Sequence, residues 1–278
     1  MLFLQLRNEL WKLFGKKRTY IGFAALLLAQ VIIVLVFRYS HASRMMVRQL
    51  ESNGFDPADY LSCLTIATFM LLPISFILLP LYVTLIGGDL VAKEAEDGSL
   101  RMILSRPISR FRLLLVKWLA GAIFTVLLVL MLGLVGVAFA RCYFPWGGFF
   151  AFVPGEVFTV LDASAGLWHY ALAHLFLGMS ECTVLSLAFM FSCLNVKPAA
   201  ATILALSVIF VSFVMMQIPY FQDLHPWFIN YYLNGWQNLL AQPVPWWKVR
   251  QALCILAAFN LSFVIIGATA FHARDIKS

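Results

Sequence analysis

Charge is the scarcest commodity in this chain. Only 12% of its 278 residues are Asp, Glu, Lys or Arg, against about 25% in an ordinary soluble domain. A soluble globule cannot cover itself with so little polar surface. The five cysteines show no Cys-x-x-Cys spacing, so neither a zinc site nor a disulfide framework is indicated. No Gly-x-x-x-x-Gly-Lys-Ser/Thr loop is present to cradle nucleotide phosphates. No internal repeat or low-complexity tail is visible. The apolar run after Tyr20 is too long for a signal-peptide core, so no cleaved leader is expected. No loop between apolar runs reaches the about 50 residues that a separate domain needs.

What remains is apolar: 62% of the residues are hydrophobic. Six runs are long enough to approach the roughly 20 residues that cross a bilayer. They cover residues 20–37, 60–86, 118–140, 167–194, 199–218 and 251–271. Pro73 and Pro80 in the second run kink a membrane helix rather than break it. Residues 1–19 precede them as an interfacial segment. There Leu2, Leu6, Leu10 and Leu13 share one helical face with Phe3 and Phe14, while Gln5, Asn8, Glu9, Lys12 and Lys16 take the other. Such a helix lies flat in a membrane interface or packs on protein. The fold class expected is an all-α polytopic membrane protein in one domain over 1–278.

The net charge of +7 belongs with topology rather than nucleic acid, because a basic stripe needs a solvated surface to occupy. With the N-terminus inside, fourteen of the 20 cations fall on the inner side and six on the outer. This bias puts both termini and the 87–117 loop in the cytoplasm. The outer loops over 143–153 and 219–247 are crowded with aromatics and prolines. They read as short interfacial or re-entrant caps, since Trp and Tyr favour the headgroup layer; an aromatic carbohydrate-binding surface is the less economical reading.

The loop over 87–117 holds the densest mixed charge. Gly98 permits a turn, and Ser99 can cap a short helix whose Leu100, Ile103 and Leu104 share a face. Pro107 ends that helix near Ser105, and Ser109 can cap the next, which carries Arg110, Arg112 and Lys117. The expected product is a small greasy knob with charged flanks, offered to a soluble partner. A loop that only fixes topology needs cations, not the acidic Asp89, Glu94, Glu96 and Asp97.

The string Glu94-x-x-x-Gly98-Ser99-Leu100-Arg101-x-x-Leu104-Ser105-Arg106-Pro107-Ile108-Ser109-Arg110, between the second and third of six spans, resembles the coupling segment of type 2 ATP-binding-cassette (ABC) transporter permeases. The closing Phe271-x-x-Arg274-Asp275-Ile276 is similar to the ends of many such chains. The resemblance implies a dimeric transmembrane unit with an identical or related second permease, two copies of a separate ABC ATPase, and a bacterial cytoplasmic membrane. It implies no cofactor in this chain, with ATP and Mg bound by the ATPase. It also implies that Glu94, Gly98, Ser99, Leu100, Arg101, Leu104, Arg106, Pro107 and Arg110 couple the ATPase to the spans, with export as the direction. Membrane lipids are the remaining partner, and nucleic acid is not one.

Within the fourth run, Glu181 and His174 lie seven residues apart, almost two turns, on one face. Intramembrane ionisable residues are functional suspects by default, so the pair is a candidate substrate path or dimer seam; a satisfied buried carboxyl is the plainer reading. His169 lies about 140° around the helix from His174, so these three do not converge as metal ligands or acid–base groups. A stand-alone intramembrane enzyme or lipid-handling protein is the alternative, as is a machine delivering work or metal-linked cargo to extracytoplasmic factors.

Overall fold

In a computed structural model the chain is a helical bundle capped at one end by a β-hairpin and short helices. The structure describes residues 2–104, 109–153, 155 and 157–273, the side chains of residues 101 and 104 excepted. In chain order the helices are α1 (Leu2–Gly15), α2 (Lys17–Tyr39), α3 (Arg44–Ser52), α4 (Pro57–Tyr60), α5 (Cys63–Pro73), α6 (Leu79–Glu96), α7 (Ser99–Leu104), α8 (Arg110–Arg141), α9 (Ala163–Cys193), α10 (Pro198–Gln217), α11 (Ile229–Leu233) and α12 (Trp246–Ala273). Strands β1 (Phe149–Val153) and β2 (Val157–Leu161) lie between α8 and α9.

Among the described residues, six helical rods are long and apolar enough to cross a membrane: α2, the α5–α6 rod, α8, α9, α10 and α12. They overlap the six apolar runs, and all but α10 are longer than the run they match. The second run ends near 86, yet α6 continues to Glu96; α8 begins at Arg110, well ahead of its apolar stretch. Hydropathy marks where a helix leaves the apolar layer, not where its backbone hydrogen bonds stop. Ser109 supports the early start of α8 by accepting from the Arg112 N–H at 3.3 Å. Ser62 caps α5 in the same way through the Thr65 N–H, at 3.3 Å.

Pro73 and Pro80 act as the sequence suggests. Between them, Ile74–Leu78 widens into a π-helical turn, so α5 and α6 form one continuous rod. A proline leaves the carbonyl four residues back without its helical donor, and a wide turn re-spaces the remaining bonds.

α9 is the axis of the bundle. Its central stretch is 72% buried, against 17% for α2 and 22% for α10 and α12, and it packs against α6, α8, α10 and α12. The Asp162 carboxylate caps it, accepting from the Ser164 and Ala165 N–H groups at 3.2 and 3.4 Å.

The 143–153 segment differs from the expected interfacial or re-entrant cap. Its second half pairs antiparallel with β2, Phe149 opposite Leu161 and Val153 opposite Val157. Phe149 and Phe150 are buried, and the Phe150 N–H donates to Thr65 Oγ1 at 2.9 Å, seating the hairpin on the head of α5. The aromatic and β-branched residues that read as an interfacial belt also suit a strand pair. The 219–247 segment forms 3-10 turns over Pro219–Trp227 and Asn234–Leu240 with α11 between them.

Candidate functional site

At the end of the bundle opposite the hairpin, α1 lies across the roots of α6 and α8, and a four-residue charge cluster joins them. Lys117 is only 1% exposed. Its Nζ sits 2.9 Å from Glu9 Oε2 and 2.7 Å from Glu94 Oε1. Lys12 Nζ completes the ring, 2.6 Å from Glu9 Oε1 and 3.2 Å from Glu94 Oε1. Two carboxylates and two ammonium groups thus alternate around one point. Burial alone pushes the Glu9 carboxyl up, but Lys117 and Lys12 outweigh it and hold the group below its ordinary value of 4.5. Burial likewise pulls Lys12 down, while Glu9 and Glu94 raise it above its ordinary 10.5. The nominal polar face of α1 therefore points partly into protein, and α1 is bolted to the bundle by charge as well as by buried Leu13. A second tie, Arg18 to Asp89 at 3.4 Å, fixes the root of α2 to α6.

The α6–α7 turn follows the residue chemistry. Gly98 adopts φ +73°, a left-handed conformation that costs glycine little. Ser99 is the first helical residue rather than a cap; its hydroxyl donates back to the Glu94 carbonyl at 3.3 Å. Leu100 is buried at 2% and Ile103 packs partly against the core, while Met102 stands 69% exposed. Leu100 and Ile103 thus point home, whereas the knob expectation turns them outward. Six residues hung between two rods need their own anchor, and Leu100 provides it. Of the residues singled out from sequence, Glu94, Gly98, Ser99 and Leu100 are brought together here. Arg110 opens α8 and its Nη1 donates to the His272 carbonyl at the end of α12, at 3.2 Å. Arg106 and Pro107 lie outside the described residues, as do Arg274, Asp275 and Ile276.

Just inside this cluster, α6 touches α9 and α10 at backbone distance. A Cβ on Gly87 would meet Ala188 Cβ and the Leu185 carbonyl, both at 2.8 Å; one on Gly88 would collide with Thr202 Oγ1. Ser192 of α9 occupies the same junction. Its hydroxyl accepts from the Val91 and Ala92 N–H groups at 3.0 and 2.8 Å and donates to the Gly88 carbonyl at 2.8 Å. The helix that leads to α7 is clamped to the axial helix.

His174 and Glu181 both lie inside α9's packed surroundings, 3% and 2% exposed. They do not pair. His174 Nδ1 lies 2.9 Å from the Tyr170 carbonyl, and its ring fills the space a Cβ on Gly133 would need. Glu181 Oε2 is buried with no hydrogen-bond partner among the described residues. His169 points elsewhere, its Nδ1 2.6 Å from the Leu239 carbonyl. Among the described residues no three His, Cys, Asp or Glu side chains cluster as metal ligands.

Sequence reasoning missed a polar ladder that joins α8, α9 and α12. Trp118 Nε1 donates to Ser186 Oγ at 2.8 Å, Ser186 Oγ lies 2.6 Å from Asn260 Oδ1, and Asn260 Nδ2 donates to Thr183 Oγ1 at 2.7 Å. It borders an open apolar groove of about 790 Å³. The lone Asn260 in an otherwise apolar run was its one available signal.

The comparison with known families bears on this arrangement directly. The family described as "ABC-2 family transporter protein" matches residues 10–225, a span that includes α7 and the helices that hold it. No curated protein matches the chain.

Proposed function

The chain belongs to the ABC-2 transporter family, and from that premise we propose that it is the permease subunit of an ATP-driven exporter in a bacterial cytoplasmic membrane. Members of this family are non-catalytic, multi-pass membrane subunits that work with an ABC ATPase. Membership sets aside the stand-alone membrane enzyme. In the proposed assembly two permeases, identical or related, meet two ATPase subunits, which carry ATP and Mg. Both termini and α7 face the cytoplasm, as the cation bias indicates.

The proposal gives residues 94–110 the coupling role, and one observation carries it: α7 is slung between two span-forming rods whose roots are locked together by the buried Lys117. Glu94 acts there from inside, through Lys117 and Lys12, rather than as a surface contact. Gly98 shapes the turn, Ser99 and Leu100 anchor α7, and Arg101, Leu104, Arg106, Pro107 and Arg110 complete the docking segment. ATP-driven closure of the ATPase pair moves α7; the α1–α6–α8 lock passes that movement to α6, and the Gly87–Ser192 junction passes it to α9. Transmission of this kind requires contacts that differ between two states. His174 and Glu181 remain candidates for the substrate path by the usual default for intramembrane ionisable groups.

The test is co-purification followed by nucleotide hydrolysis. Wild-type permease should recover a stoichiometric ATPase carrying a phosphate-binding loop. Leu104→Asp and Arg101→Glu should insert normally but lose that partner or its permease-dependent ATPase rate. Variants that keep both would remove the docking role. Accessibility of a cysteine at position 102 to an impermeant reagent in intact cells would overturn the orientation.

A further inference from the structure

At the hairpin end of the bundle lies a partly open pocket of about 310 Å³, remote from α7 and from the charge cluster. The hairpin, the end of α10, α11, the 3-10 helix and loop that follow it, and the head of α12 build it. Its walls differ in kind from those of the apolar groove between α8 and α12. Side-chain amides come from Asn234, Gln237 and Gln251, and aromatic rings from Tyr231 and Trp247. Among the described lining residues the one ionised group is Lys248, whose ammonium lies 5.6 Å from the centre of the Trp247 ring.

Gln237 is the informative member. It is only 7% exposed, lines the cavity, and its side-chain amide has no hydrogen-bond partner among the described residues. A buried amide normally finds one. Here the amide opens on the cavity, where water or a polar ligand completes its hydrogen bonds. An amide offers a donor and an acceptor side by side, which matches two neighbouring hydroxyls. An aromatic face beside it covers the C–H side of a ring. The volume sits at the lower limit of ligand pockets, about 300 Å³, which suits a single ring rather than an extended chain. An acyl chain would leave the amides unpaired. A bare metal cation would face Lys248 with no carboxylate among the described lining groups.

We propose that this pocket binds one saccharide ring, stacked on Trp247 and hydrogen-bonded by Gln237, Asn234 and Gln251. Lys248 and the N-terminal end of α12 both favour an acidic substituent on that ring. The sugar is either part of a soluble glycan or the headgroup of a glycolipid in the adjoining leaflet; the chemistry of recognition is shared. Because the pocket joins α11, the hairpin and the head of α12, an occupied site ties the cap to a span-forming helix. The inference does not rest on the proposed transport reading.

The experiment uses the full chain in nanodiscs of plain phospholipid, titrated with glucose, glucuronate and maltotriose and followed by saturation-transfer NMR. A parallel preparation carries glucosyl diacylglycerol. Saturable binding of a soluble sugar, with glucuronate tighter than glucose, supports the proposal and a glycan source. Binding confined to the glycolipid supports it with a lipid source. Trp247→Ala and Gln237→Leu should each weaken binding about tenfold, the scale of one lost ring contact or hydrogen bond, while Lys248→Gln should erase only the glucuronate preference. Trp247 is 61% exposed, so its removal leaves the fold intact, and thermal midpoints of all three variants check this. Absence of saturable binding from every probe, or variants that bind like the wild type, overturns the assignment.

Discussion

Replacing Lys117 by Met removes the fully buried one of the two cations that Glu9 and Glu94 share inside the α1–α6–α8 junction. The methionine keeps the length and apolar stem, so the change is one of charge. Lys117 is 1% exposed, and its partners Glu9 and Glu94 are 13% and 17% exposed on their side chains. Losing one member of a buried ion pair costs about 3–5 kcal/mol, because the other member is left charged without compensation. Lys12 remains, but it is 47% exposed and its attraction is diluted by solvent. The lower end, about 3 kcal/mol, is therefore expected. At roughly 2 °C per kcal/mol for a chain of this size, the thermal midpoint falls by about 6 °C. Thermal unfolding in one detergent, followed by intrinsic fluorescence, reads this directly. The triple variant Glu9→Gln, Glu94→Gln, Lys117→Met removes the stranded charges as well and should regain most of the loss. A midpoint for Lys117→Met within about 1 °C of wild type refutes the reasoning, as does a triple variant no more stable than the single one.

Two further outcomes follow from the same end of the molecule. Gly87→Ala sets a methyl 2.8 Å from both Ala188 Cβ and a backbone carbonyl; overpacking of this kind costs about 1–3 kcal/mol, so α6 should part from α9 and the thermal midpoint should drop, whereas an unchanged midpoint would show that the helices are not held at this distance. Glu9 has a depressed pKa, so its contribution is present above its ordinary 4.5 and is lost as pH falls through the folded value; the midpoint should fall on acidification below 4.5, and Glu9→Gln should flatten that fall.

Much of the architecture is written in local patterns, and those patterns were readable. Six apolar runs announce six rods, and Gly98, Ser99 and Ser109 punctuate the loop that α7 occupies. Pro73 and Pro80 signal a deformed helix, although the identity of the deformation, a wide turn at Ile74–Leu78, depends on neighbours. Three features escaped because they are set by contact rather than by spacing. Lys117 looks like one more topology-setting cation at the base of a span; only the position of α1, 108 residues earlier, reveals it as a buried partner of Glu9. Leu100 turns inward, which its sequence context does not reveal, because a six-residue helix has two sides and spacing alone does not say which one meets protein. The hairpin was hidden by composition: Phe149–Val153 and Val157–Leu161 carry aromatics that equally suit a membrane interface, and the Pro154-Gly155 pair between them was the available turn signal. Glu181 and His174 are both buried in α9, yet a spacing of seven residues brings no bond between them: His174 meets the Tyr170 carbonyl, and Glu181 Oε2 has no partner among the described residues.

The wide turn at Ile74–Leu78 has a geometric consequence for the rod that contains it. One surplus residue advances the helical phase by about 100°, so the upper and lower lengths are indexed to separate clocks. The lower length is keyed to the axial helix by two glycines and a serine hydroxyl; the upper one is keyed to the hairpin through Thr65. Torque applied below need not wind the part above, because the turn between them already stores the slack of an unmatched residue.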